Sequence, residues 1–226
     1  MEKSNEKYAA YLAILEEELV PAMGCTEPIA IAYGAAKARE LLGQLPDRVL
    51  VEASGNIIKN VKSVVVPNTG GLHGIEAAAA AGVVAGKPEL QLEVISQVTQ
   101  EQQEAMRRYL NEHPVRVEFL DGELVFDIQI TLWSGDRQAK VRIANYHTNI
   151  VRMERNGEVL LDLPVEAEVE SGLTDRSLLS MAEIYDFAQT VDLEDVKPVL
   201  DRQITCNMAI AQEGLANRYG ACIGQV

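Results

Sequence analysis

The run Ala77-Ala78-Ala79-Ala80-Ala81-Gly82 lies inside a helix predicted over Ile75 to Val84 and ended by Gly86-Lys87-Pro88. Side chains this small let neighbouring backbones approach closely. A helix apolar on every side belongs inside a protein, not on its surface. The chain is therefore expected to build a tightly packed helical layer with this helix near its centre.

A second stretch supplies the chemistry. Ala22-Met23-Gly24-Cys25-Thr26-Glu27-Pro28 leads into the apolar run Ile29 to Ala38. Thr26 suits a helix N-cap, and Pro28 is tolerated in a first turn, where its missing N–H would be unpaired anyway. Cys25 would then lie at the positive end of a helix dipole, which favours a thiolate and lowers the thiol pKa. Such a thiol can be a metal ligand or a nucleophile. The alternative is a buried structural cysteine. Glu27 could orient or deprotonate a substrate, or simply favour the helix N-terminus by its charge.

Composition narrows the class. The 226 residues are 47% apolar and 24% charged, enough for one large domain or two small ones with a real core. The net charge of −14 argues against nucleic acid and anionic membranes as partners. No apolar run approaches the roughly 20 residues that span a bilayer. The charged start Met1-Glu2-Lys3-Ser4-Asn5-Glu6-Lys7 lacks the apolar core of a signal peptide. Cys25, Cys206 and Cys222 are too widely spaced for a disulfide framework, so a cytoplasmic protein with reduced thiols is expected.

Along the chain, Tyr8, Tyr11, Leu12, Leu15 and Leu19 have helical spacing up to Pro21. The second helix runs to about Leu42 and stops at Gly43. Val49 to Ala53 suits a strand, and Ser54-Gly55-Asn56 is turn chemistry. Thr99-Gln100-Glu101-Gln102 has the form of a capping box for a helix reaching Asn111. Alternating patterns follow at Val115–Phe119, Leu124–Leu132, Ala139–Ile143 and Asn149–Met153, with a hairpin signal at Asn156-Gly157. Asp175 or Ser177 starts a further helix, and a last one begins near Asp192 and passes through Ile204, Met208, Ile210 and Ala211 to about Leu215. These elements predict an α+β fold: a helical core layer, 1–88 with 164–226, interrupted by a small antiparallel-sheet lobe over 89–163. The glycine-punctuated run Asn217 to Val226 reads as an entry into more buried structure, so the chain is expected to be a fragment.

The turn Pro67-Asn68-Thr69-Gly70-Gly71-Leu72-His73-Gly74 exposes backbone N–H groups before a helix, which can hold a carboxylate or phosphate. It lacks the Gly-Lys-Ser/Thr ending of a Walker motif and the glycine spacing of a Rossmann fingerprint. A plain connection is the alternative. His73 beside it could be an acid–base group or a solvated turn residue. His147 is expected in a strand, with a structural role. Two functional classes stay open on the residues alone: a metal-free enzyme with Cys25 as nucleophile and His73 as base, and a noncatalytic module that binds a small amino acid.

Gly24-Cys25-Thr26-Glu27-Pro28, Ser54-Gly55-Asn56 with Asn60, Pro67 to Gly74, His147-Thr148-Asn149-Ile150, and Asn207 with Gly214 to Gly224 together resemble the N-terminal half of the bacterial and archaeal L-cysteine desulfidases. Those are similar to the alpha chain of the iron–sulfur L-serine dehydratases. The resemblance runs along nearly the whole chain, and Gly24 to Pro28 is its most specific part. It implies a lyase that removes hydrogen sulfide or water from L-cysteine or L-serine, giving pyruvate and ammonia, with a four-iron cluster held by three cysteines. By this resemblance Cys25 is a cluster ligand or acts beside the cluster, and Asn56 and the Pro67–Gly74 turn lie near the substrate carboxylate. The candidate catalytic residues are Glu27 and His73, and the candidate substrate-binding residues Thr26, Asn56, Asn60, Thr69, Gly70 and Gly71.

The family's other cluster cysteines lie in a C-terminal half. Cys206 and Cys222 do not match them and are expected in the core. The chain alone is thus expected to be cofactor-free and inactive. Its expected partners are a small amino-acid substrate and the missing C-terminal half, with homo-oligomerisation left open.

Overall fold

The computed structural model describes residues 1–165 and 173–218. In chain order the elements are α1 (Glu6–Glu18), α2 (Thr26–Leu42), β1 (Arg48–Ala53), α3 (Gly55–Val61), α4 (Gly74–Ala85), α5 (Gln100–Glu112), β2 (Val115–Phe119), β3 (Asp127–Ser134), β4 (Arg137–Ala144), β5 (Ile150–Arg155), β6 (Glu158–Asp162), α6 (Met181–Thr190) and α7 (Leu193–Ala216). The α+β class is as the sequence predicts. No helix among the described residues is long and apolar enough to cross a membrane.

The division of the chain differs from expectation. Residues 22–165 form a sheet unit, and 1–21 with 173–218 a helical unit. No separate sheet lobe exists at 89–163, because β1 stands inside the sheet, whose order is β2-β1-β3-β4-β5-β6. β1 pairs parallel with β2, Val51 opposite Val117, and antiparallel with β3, Val51 opposite Ile130. The sheet is therefore mixed and not wholly antiparallel. Once β1 is shared, the helices around it and the later strands belong to one unit.

In the sheet unit α2 packs on β3 and β4, α4 packs on α2, and α5 on α4. The small-residue pattern explains this depth. Ala77 to Ala81 are buried, as is α2 from Pro28 to Ala36. A Cβ at Gly82 would stand 2.2 Å from the Ala32 carbonyl oxygen, and one at Gly34 2.9 Å from Ile130 Cδ1. The two glycines set how closely α2 approaches α4 on one side and the sheet on the other. Ile29, Ile31, Val49, Val51, Ile128, Ile130, Leu132 and Ile143 fill the space between, all fully buried. Burying a side chain of this size stabilises by about 1.5–3 kcal/mol before chain entropy is counted.

Three local predictions are corrected. Ser54-Gly55-Asn56 is not a plain turn but the start of α3; Ser54 occupies the N-cap position while its hydroxyl donates to the Val125 carbonyl, 2.7 Å away. His147-Thr148-Asn149 lies in the connection between β4 and β5 and not in a strand, since Asn145 takes a left-handed conformation (φ 69°) that ends the extended chain. The helix expected from Asp175 or Ser177 is broken: a 3₁₀ turn at Arg176–Leu178 precedes α6, which Ser180 caps. The capping box at Thr99 forms as expected. So does the Asn156-Gly157 hairpin between β5 and β6, with φ of 53° and 83°.

The helical unit holds α1 against α6 and α7 through Tyr8, Tyr11, Phe187 and Val196. Tyr8 meets Phe187 edge-on at 5.6 Å, a favoured aromatic geometry. Tyr8 Oη donates to Asp195 at 2.8 Å, and Lys3 bridges Asp192 and Asp195 at 2.7 and 2.8 Å. Cys206, expected in the core, is exposed on α7. Cys222, and the end of the Gly214–Gly224 segment, lie outside the described residues.

Candidate functional site

The site is built around the start of α2. Cys25 and not Thr26 takes the N-cap position, which places Thr26 and Glu27 in the first turn with Pro28. Gly24 precedes it with φ 139°, and a Cβ there would lie 3.4 Å from Pro67 Cγ, so the Cys25 turn abuts the Pro67 turn. Cys25 Sγ donates to Glu27 Oε2 at 3.1 Å. Asn60 Nδ2, from the last turn of α3, makes a long hydrogen bond of 3.4 Å to Glu27 Oε1. Both carboxylate oxygens are therefore engaged, one by a thiol and one by an amide.

The electrostatics reverse the expectation for Cys25. Its thiol pKa is raised, first by burial, then by the hydrogen bond and charge of Glu27. The N-terminal helix dipole does not overcome a carboxylate at contact distance. At neutral pH Cys25 is a thiol, exposed at the surface but protonated. For Glu27, partial burial pushes the pKa up, but hydrogen bonds from Cys25, its own backbone N–H and Asn60, with the field of His147, outweigh it. The net shift is downward, so Glu27 is a carboxylate. The His147 pKa is lowered by burial, which the charge of Glu27 only partly offsets. Its ring packs edge-on against Phe126 at 4.6 Å, and Asn149 holds the connection by donating to the Ala144 carbonyl at 2.9 Å.

The other candidates fall into place around this centre. Asn56 is exposed in the first turn of α3, four residues before Asn60, and so on the same helix face. Thr69 is fully buried; its hydroxyl donates to the Val66 carbonyl at 2.7 Å and accepts from Leu72 N–H at 3.1 Å, so it shapes the glycine turn. Gly70 offers its carbonyl to Arg107, and Gln103 donates to the Asn68 carbonyl at 3.0 Å, so α5 pins the turn. Gly71 is exposed with open space beside it. His73 is exposed at the N-cap of α4, and the Cys25 hydrogen bond goes to Glu27 instead. His147 is the residue that sequence reasoning undervalued. Its only signal was the end of strand alternation at Asn145-Tyr146, which frees it for a turn.

Among the described residues no group of three or more His, Cys, Asp and Glu side chains converges as a metal site. Cys25 stands as one thiol beside one carboxylate. Among the described residues that donor set does not fit a four-iron cluster.

Compared with known proteins, the chain is 54% identical over 227 residues to a UPF0597 protein of Desulfitobacterium hafniense, 44% to one of Fusobacterium nucleatum and 42% to one of Treponema denticola. The chain resembles the UPF0597 proteins along its whole length. Each match covers 100% of this chain but only 52 to 53% of the relative, so the chain spans about half the length of the curated relatives it matches. No protein-family model and no solved structure matches it. The finding overturns the recognition of the chain as the N-terminal half of an L-cysteine desulfidase: the relatives are UPF0597 proteins, whose names state no activity.

Proposed function

We propose that the chain carries the proton-handling part of a lyase active site that eliminates hydrogen sulfide or water from a small amino acid, L-cysteine or L-serine, to give pyruvate and ammonia. The observation that supports this reading is the contact between Cys25 and Glu27, which sets a proton donor beside a proton acceptor at 3.1 Å. Opposite pKa shifts keep the two in complementary states near neutral pH.

In this reading Glu27 takes the Cα proton. The electron pair forms the Cα–Cβ double bond as the Cβ–S or Cβ–O bond breaks. The Cys25 thiol protonates the departing sulfide or hydroxide. Glu27 then returns its proton to the Cys25 thiolate, and the pair is reset. The released aminoacrylate tautomerises to an imine, which water hydrolyses to pyruvate and ammonia. Asn60 holds Glu27, His147 adds to its electrostatic surroundings, and Asn56 extends the polar face on which the substrate carboxylate would rest. General acid–base groups of this kind contribute about 10²–10⁴-fold, so the rest of the activation is assigned to the part of the longer protein outside this chain. A metal-free Cys25 nucleophile fits less well, because its raised pKa leaves little thiolate.

The test is pyruvate release from L-cysteine and L-serine by the full-length Desulfitobacterium relative, assayed anaerobically. Release from either supports the proposal. No release from both, with the protein folded, overturns it.

A further inference from the structure

α7 changes character along its length. Val196 and Val199, near its start, are buried, Val196 against Tyr8, Tyr11 and Phe187. From Asp201 to Arg218 every residue is exposed. Yet the exposed turns are not those of a solvated helix. Between Gln203 and Ala216 the one charged residue is Glu213. Ile204, Met208, Ile210 and Leu215 are exposed by 58%, 51%, 70% and 72%.

Ile204, Met208, Ala211 and Leu215 are spaced four, three and four apart, which lines them up as one helix seam. Ile210 lies about 120° round the helix from Ile204 at 3.6 residues per turn. The small residue Gly214 lies between Ile210 and the seam, and Ala209 and Ala216 lie on the other side of the helix. Large apolar side chains exposed on two sides of a helix are more apolar surface than a solvated face ordinarily shows. Within the helical unit no described residue covers it.

We propose that this half of α7 is a docking surface, and that its occupant is the portion of polypeptide the longer relatives possess and this chain does not. Two observations select that occupant. The chain spans only about half the length of relatives that match it end to end. And the apolar positions lie on two sides of the helix. A second copy of α7 packed along the single seam would leave Ile210 in water, whereas a further folded portion can enclose both sides.

The test is amide hydrogen exchange on this chain and on the full-length Desulfitobacterium relative, read over the segment that aligns with 203–216. The expected result is exchange slower by more than about tenfold in the relative, lost when Glu replaces the residues aligned with Ile204 and Ile210. Equal, fast exchange in both proteins overturns the proposal. So does protection in the relative that disappears on dilution from oligomer to monomer, because that outcome assigns the surface to a second copy. These readouts do not involve activity, so they stand or fall separately from the lyase reading.

Discussion

The Cys25 thiol donates to Glu27 across 3.1 Å at the first turn of α2, and this contact helps push the two pKa values apart. The Cys25 pKa is raised by burial and by Glu27. Removing the charge in Glu27→Gln removes part of the cause, so the thiolate should form at lower pH. Peptide-resolved alkylation of Cys25 across a pH series should show its midpoint move down in the variant. An unchanged or higher midpoint would show that Glu27 does not control the thiol.

Acid should loosen the helical unit selectively. Glu17 is held below its ordinary pKa by the Arg176 guanidinium, Asp192 and Asp195 by Lys3, and Glu183 by Lys7. For a depressed carboxylate, the contribution is present above the unfolded pKa, about 4, and is lost as pH falls through the folded value. These groups are solvent-exposed, so the effect is modest and screened by salt. Amide protection factors in α1, α6 and α7, corrected for the intrinsic pH dependence of exchange, should fall below about pH 4 before those in β1, β3 and β4 do. A simultaneous fall in both units would contradict this assignment.

Gly82→Ala should destabilise the sheet unit, although alanine is the better helix former by about 1 kcal/mol. The new Cβ would meet the Ala32 carbonyl oxygen at 2.2 Å and Ala35 Cβ at 2.8 Å. Overpacking of this kind costs about 1–3 kcal/mol. Urea unfolding should show a lower midpoint. A midpoint at or above the parent's would mean that α2 and α4 separate more easily than their packing implies.

Asp127 is buried on β3 and receives two hydrogen bonds from Arg142 on β4, at 2.9 and 2.7 Å. Arg142 is part-exposed, so the pair is worth less than a fully buried one. Asp127→Asn should cost about 1.5–3 kcal/mol, the range for hydrogen bonds to charged groups. Asp127 also pairs in register with Ala144, just before the connection that carries His147. The His147 ring resonances should therefore shift in the variant. Unaltered resonances would separate the ion pair from the site.

The sequence disclosed elements better than their neighbours. Capping chemistry at Thr99, the Asn156-Gly157 turn and the end of α2 at Gly43 depend on a few adjacent residues, and each appears as expected. The place of β1 was not legible, because its partners Val117 and Ile130 lie far along the chain and nothing local to Val51 names them. At the site, the pairing of Cys25 with Glu27 follows from their two-residue separation. Its consequence did not, since the helix dipole argues for a thiolate and only the contact geometry shows the carboxylate prevailing. Asn60 reaches Glu27 only once α3 forms, and α3 was masked by its Ser-Gly-Asn start.

β1 lies between β2 and β3, and α2 rests on β3 and β4. During synthesis α2 therefore leaves the ribosome well before its floor exists. Until β4 is complete, a nascent chain carries α2 with its apolar run Pro28 to Ala36 uncovered and the sheet with an unpaired edge, both prone to wrong association. Such long-range pairing also closes slowly. A release of the chain anywhere before Ala144 would yield an aggregating species, and shielding of the nascent helix becomes a condition for recovering the folded protein.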